Sequence, residues 1–268
     1  NTNILTGTTL IDSLQGLGQT STWSLTGAGT GIYSSTDIAA DVLLDFDSIE
    51  DLIGEDSLDT LSYEFYPSAV TVDLVSANIT SGGFDGASSG LLAFHSMDAL
   101  IGSSAITADV LNGADLDSSW VFGLGSTYTA GCSSLTFSSF EQLTGQSQAD
   151  AFSFEGTAVF SGSLDGGTGQ DSLVYTNYDS SIAVVLTGVG SAAGDGFTGT
   201  ATGLLGTFDH IDLLTGSSLE GDWLYGADLN ATFELDGTDR YIVGANDIDF
   251  TDFETLQAGA LVDHFQLS

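Results

Sequence analysis

The sequence predicts an all-β fold, a parallel β-helix or β-solenoid with turns of roughly 21 to 24 residues. Three observations carry that prediction: one aromatic-acid-glycine pattern recurs five times, its spacing accommodates one whole added unit, and the local pattern alternates as strands do. A chain of 268 residues, 42% apolar and 10% aromatic, furnishes a substantial core.

The recurring segments are FDSIEDLIG ending at Gly54, FHSMDALIG at Gly102, FSSFEQLTG at Gly145, FDHIDLLTG at Gly216 and FTDFETLQAG at Gly259. Each has an aromatic residue, a second apolar residue three on, an acid, a leucine and a glycine. The recurring apolar side chains, among them Phe94, Phe137, Phe140, Phe208, Phe250 and Phe253, are expected to form an internal core stack. A longer correspondence overlies this one. DTLSYEFYPSAVTVDL from Asp59 matches DSLVYTNYDSSIAVVL from Asp171, and GSSAITADVLNGADLD from Gly102 matches GSSLEGDWLYGADLN from Gly216. Phe137, Phe140, Leu143, Asp150 and Phe152 recur as Phe250, Phe253, Leu256, Asp263 and Phe265.

Two block types therefore alternate in a single solenoid: residues 1–53 (B), 54–101 (A), 102–144 (B), 145–215 (A, with one extra turn) and 216–268 (B). The opening LTGTTLIDSLQG, followed by Trp23, resembles the block that carries Trp120. The inner B block spans 43 residues from Gly102 to Gly145, and the A blocks span 48 (Gly54 to Gly102) and 71 (Gly145 to Gly216). The difference of 23 between the A blocks is about half of 43 or 48, which sets the length of one turn. A solenoid permits insertion of a complete turn because each turn touches only its neighbours; a sandwich or closed barrel does not. Within turns, AVTVDLV, IAVVLTG and FSFEGTAVF are strand-like, Gly, Asp, Asn and Ser clusters punctuate them, and no segment forms a convincing amphipathic helix.

Charge narrows the function. Against 37 acidic residues stands one basic residue, Arg240, giving a formal charge of −36. Such a surface repels nucleic acid and anionic lipid, which excludes both as partners. Two carboxylates about 5 Å apart in water repel by about 0.8 kcal/mol, so hydrogen bonds, protonation or cations must compensate, and Ca2+ is the natural candidate. The single Cys132 excludes an internal disulfide and is expected to be a small buried residue. No run of 18 apolar residues occurs, and NTNILTGTTLID lacks the basic start and apolar stretch of a signal peptide, as expected of a mature or excised segment. Scarce Lys, Arg, Pro and Met with abundant Gly, Ser, Thr and Asp suit an extracellular or cell-surface location.

One stretch carries a family signature. GGTGQDSLV, Gly166 to Val174, fits the nonapeptide G-G-x-G-x-D-x-(apolar)-x at every position, with Asp165 before it. In this it resembles the repeats-in-toxin, or haemolysin-type calcium-binding, solenoids of large secreted bacterial proteins and adhesins. That resemblance implies Gly166, Gly167, Gly169 and Asp171, with Asp165, as calcium ligands or turn-formers, and it implies a bacterial surface setting. Asp59, Asp109 and Asp222 stand at related positions in looser copies. The chain departs from the family in having one strict nonapeptide rather than consecutive copies. Its inferred turn is also longer than two nonapeptides, which favours a broader β-helix. A calcium site and an ion-free glycine-rich turn both remain open at Asp171.

Enzyme chemistry finds little support. Asp209 with Asp212, or Asp236 with Asp239, could be drawn as a glycosidase pair, but 37 acids bring some together by chance, and a lyase for acidic sugars needs more basic groups than Arg240. His95, His210 and His264 show no metal-ligand spacing. The sequons at Asn78 and Asn230 are expected by accident in a Thr-rich chain, and TGTAT at 198–202 is too short for a threonine ladder. The expectation is a non-catalytic structural or adhesive solenoid, self-associating end to end or abutting neighbouring repeats. The alternatives are a calcium-dependent glycan- or cell-binding module and, behind it, a β-helix polysaccharide-degrading enzyme.

Overall fold

The computed structural model describes residues 3–36, 42–55, 57–78, 80, 82–104, 108–190 and 196–267. Ile79 of the first sequon, and Ala105 to Thr107 within the Gly102 correspondence, lie outside the described residues. Among the described residues there are 29 strands and no helix. The strands fall into two long, mostly parallel sheets, the arrangement of a β-solenoid.

Two compact units divide the chain: Asn1–Asp115 with Thr127–Gln142, and Leu116–Ser126 with Leu143–Ser268. The second unit contains the plain turn. Asp150–Phe154 lies in the first sheet, Ser163–Asp165 in the second, and Ser172–Val174 returns to the first, where Ala151 pairs with Ser172 after 21 residues. Other parallel partners stand further apart, from Ser118↔Asp150 to Leu164↔Phe208, because three-stranded antiparallel meanders replace single strands. In the first unit Ser21–Gly27, Thr30–Ser35 and Val42–Asp47 form a meander in the first sheet. Thr71–Ala77, Phe84–Ser88 and Leu91–Met97 form one in the second. In the second unit Ala183–Val189, Phe197–Ala201 and Phe208–Ile211 belong to the second sheet, and Ala231–Leu235, Arg240–Val243 and Asn246–Thr251 to the first.

Parallel pairing in register stacks identical positions into columns. In the first unit Trp23, Leu61, Leu100 and Phe137 succeed one another, all buried. The second unit stacks Trp120, Phe152, Leu173, Leu214 and Phe250 in the same way. Ring stacking reinforces these columns: Trp120 lies 5.8 Å from Phe152, and Phe154 bridges Phe122 at 4.7 Å and Tyr175 at 5.1 Å. Phe94, Phe137, Phe140, Phe208 and Phe250 are buried as expected, whereas Phe253 is half-buried with its ring edge-on to Phe250. Cys132 corrects its expectation: it is exposed, because it sits in the two-residue turn between Ser126–Ala130 and Ser133–Ser138 rather than on an inward strand position.

Candidate functional site

The feature that recurs in both units is a ladder of buried carboxylates. Asp59, Asp109, Asp150, Asp171 and Asp222 are each almost wholly buried, although one arginine is all the chain has to offset them. Each follows a repeat glycine by five to seven residues and folds its side chain back over that loop. Asp59 Oδ2 accepts the Glu55 N–H at 2.8 Å, Asp109 Oδ2 the Ser103 N–H at 2.5 Å and Asp222 Oδ2 the Ser217 N–H at 2.6 Å. The other oxygen reaches the preceding turn. Asp109 Oδ1 accepts the Val70 N–H at 2.8 Å, Asp171 Oδ1 the Asp150 N–H at 2.8 Å and Asp222 Oδ1 the Ile182 N–H at 2.7 Å. Asp59 Oδ1 instead receives the Ser21 hydroxyl and Asp150 Oδ1 that of Ser118.

The acid of each aromatic-acid-glycine segment completes the rung. Glu50, Asp98, Glu141, Asp212 and Glu254 accept the backbone N–H of Asp12, Asp59, Asp109, Asp171 and Asp222, at 2.8–3.1 Å. The Asp59 and Asp171 carbonyls in turn accept the N–H of Asp98 and Asp212 at 2.8 Å. Through these bonds the rungs at Asp59, Asp109, Asp171 and Asp222 each staple three consecutive passes of the chain.

Backbone geometry fixes the rung's position. Ser48, Ser96, Ser139, His210 and Asp252, two residues before each completing acid, all have φ between 53° and 60°. A side-chain-bearing residue in this left-handed region costs about 1–2 kcal/mol. The conformation aims the carbonyl of each at the Cα of a repeat glycine in the adjacent pass: a Cβ on Gly7, Gly54, Gly102, Gly166 or Gly216 would stand 1.8, 2.7, 1.9, 2.3 or 1.9 Å from that oxygen. These glycines are required for close approach rather than for their own φ.

Burial pushes the carboxyls of Asp51, Asp59, Asp98 and Asp171 above the usual range. Asp171 rises furthest, to about 7, because burial is reinforced by the charges of Asp150, Asp212 and Asp165 and only partly opposed by the Asp150 N–H. Its Oδ2 is buried without a hydrogen-bond partner. Exposed Glu254 moves the other way, drawn below its usual value chiefly by the Asp222 N–H. A carboxyl whose folded value exceeds its unfolded value of about 3.9 holds its proton more tightly when folded. For Asp171 the stability so contributed is complete below about pH 4 and lost as pH rises through about 7.

The carboxylates that the nonapeptide resemblance implies as calcium ligands make hydrogen bonds within the chain. Asp171 gives Oδ1 to a backbone N–H, and its Oδ2 packs where a Cβ on Gly166 would lie 2.6 Å away. Asp165 Oδ1 accepts the Gly167 N–H at 3.0 Å and faces His210 Nδ1 at 2.7 Å. Gly167 and Gly169, at φ 91° and 152°, are turn-formers. Among the described residues no three His, Cys, Asp or Glu side chains gather as a metal site. Asp171 Oδ1 bonds the preceding pass as Asp109 Oδ1 and Asp222 Oδ1 do in turns without a nonapeptide.

The remaining candidates are dispersed. Asp212 is engaged by the Asp171 N–H, Asp209 lies beside His210, and Asp236 and Asp239 cap N–H groups of their own exposed turn. Arg240 pairs with Glu234 and Asp247. His95 lies between Asp51 at 3.4 Å and Asp85 at 3.5 Å. A cleft of about 400 Å³ in the second unit is lined by Glu155, Asp179, Leu124 and Thr157, none of them a sequence candidate.

Each unit also carries an edge strand of the first sheet. Among the described residues, Asn3–Thr6 pairs only with Val42–Asp47, and Asp263–Leu267 only with Ala231–Leu235. Their inward column positions, Leu5 and Phe265, are 39% and 51% exposed, whereas the equivalent Leu61 and Leu100 are fully covered. No family model, curated protein or solved structure matches this chain.

Proposed function

We propose that this chain is a structural or adhesive β-solenoid of a bacterial cell surface or extracellular filament, non-catalytic, and lengthened end to end by further turns of its own kind. The observation that carries this reading is the in-register stacking of buried side chains from turn to turn in each unit, which a further turn of the same kind would continue at the edge strands Asn3–Thr6 and Asp263–Leu267. An unpaired edge with exposed apolar residues is a template for another strand, and Ile4, Phe265 and Leu267 are 68%, 51% and 78% exposed on these two.

The edges are also complementary in sequence. Asp263-His264-Phe265-Gln266 corresponds to Asp59-Thr60-Leu61-Ser62, and Ile4-Leu5-Thr6-Gly7 to Ala99-Leu100-Ile101-Gly102. Within the first unit those segments are parallel neighbours, with Thr60 on Ala99, Leu61 on Leu100 and Ser62 on Ile101. A second copy in the same register sets its Leu5 on Phe265 and extends the column that already stacks Phe233 and Phe265 at 4.8 Å. Identical heterologous contacts of this kind propagate as a filament. The acidic exterior, with a single basic residue, supports an extracellular setting by offering trypsin-like proteases one site.

Light scattering and electron microscopy of the purified chain test this. Oligomers that grow with concentration and lengthen along one axis are expected, and Phe265→Asp should shift them at least tenfold toward monomer without changing the far-ultraviolet circular dichroism. A chain that stays monomeric at millimolar concentration, or an assembly indifferent to Phe265→Asp, overturns the reading.

A further inference from the structure

Trp223 and Tyr225 depart from the repeat in a way the fold does not require. Leu224 between them is fully buried, so strand alternation turns both rings to the outer face of the second sheet. The corresponding outward positions of the other two matching steps carry Ser13 with Gln15 and Val110 with Asn112. Here the rings lie nearly parallel, 15° apart with centroids at 5.5 Å, and Trp223 is 39% exposed. On one side the pair is flanked by Ala183 and Val185, with Thr200 opposite Val185. On the other stand Thr255 and Gln257.

We infer that this outward aromatic pair is a binding site for a neutral polysaccharide. Charge excludes anionic ligands, since the chain carries −36 and no cationic side chain is among these flanking residues. Size disfavours a protein partner: Trp223 is 39% exposed and Tyr225 half-buried, a small patch against about 800 Å² per partner in a stable protein interface. Chemistry selects the sugar. A pyranose offers an apolar C–H face that stacks on an aromatic ring and a hydroxyl rim that meets hydrogen-bonding side chains. The threonines, Gln257 and the Tyr225 hydroxyl ring the pair with such groups. The site is independent of the end-to-end reading, because it occupies a lateral face.

Tryptophan emission reports it directly. Trp23 and Trp120 are fully buried, so acrylamide quenches Trp223 selectively. The whole chain is titrated with cellohexaose, mannohexaose and maltohexaose, and with polygalacturonate as the anionic counterpart. At least one neutral oligosaccharide is expected to shield Trp223 with a dissociation constant at or below about 1 mM, and polygalacturonate is not. By calorimetry, Trp223→Ala and Tyr225→Ala should each weaken binding at least tenfold with an unchanged circular dichroism spectrum, and Trp223→Phe should restore part of it. Absence of shielding by every neutral oligosaccharide, binding confined to polygalacturonate, or affinity that survives both alanine changes overturns the inference.

Discussion

Replacing Gly102 by alanine is expected to destabilise the first unit by about 4 kcal/mol, among the largest effects a single methyl group can have. The new Cβ would lie 1.9 Å from the Ser139 carbonyl oxygen and 2.8 Å from its carbon, both of them backbone atoms that no side-chain rotation can clear. Relief requires separating the two passes, which breaks the Gly102 N–H bond to the Ser138 carbonyl at 2.9 Å and pulls apart the buried Leu100 and Phe137 of neighbouring strands. Gly125 has open space around its added Cβ, so Gly125→Ala should change stability by less than about 0.5 kcal/mol. Thermal melts of the two variants beside the parent decide it, with a fall of roughly 10 °C expected for the first and almost none for the second. Equal melts would remove the close-approach account of the repeat glycines.

Asp222→Ala should cost about 3–5 kcal/mol. The carboxylate accepts the Ile182 N–H at 2.7 Å, the Ser217 N–H at 2.6 Å and the Ser217 hydroxyl at 3.1 Å, all buried. Alanine leaves the Ile182 and Ser217 amides without acceptors, and each orphaned buried donor costs about 1–3 kcal/mol. Asp222→Asn keeps one carbonyl acceptor and should lose about half as much. Hydrogen exchange locates the damage: the Ile182 and Ser217 amides should exchange at least a hundredfold faster in the alanine variant, while amides around Asp59 in the other unit keep their protection. Uniform loss across both units would contradict local stapling.

Much of this was legible in the chain because a solenoid repeats its constraints. Phe94, Phe208 and Phe250 recur where an inward column needs them, and the glycines at 54, 102 and 216 recur where two backbones touch. The turn length of 21 to 24 residues holds for the one plain turn that distinguishes the two A-type blocks, whereas the turns that carry a meander are longer. The meanders did not emerge, because a strand running back beside its neighbour alternates in the same way as one that advances to the next turn. The role of Glu50, Asp98, Glu141, Asp212 and Glu254 was hidden although their recurrence was plain: spacing marks an acid as needed but does not name its backbone partner 32 to 41 residues earlier. The left-handed residues left a trace in the Ser, His and Asp at one recurring position, types that tolerate that conformation better than branched residues. Trp223 and Tyr225 were visible only as a departure from Ser13 with Gln15, which has meaning once the strand faces are known.

The central claim is that buried carboxylates staple the turns, and melting temperature as a function of pH tests it most directly. With Asp171 holding its proton up to about pH 7 when folded, and Asp59 and Asp98 shifted in the same direction, the melting temperature should rise as pH falls from 8 to 5. Asp171→Asn, neutral at every pH, should flatten that rise most between pH 6 and 8, around the Asp171 value of about 7. A melting temperature that falls steadily on acidification from pH 8, or a profile unchanged by Asp171→Asn, would contradict the account.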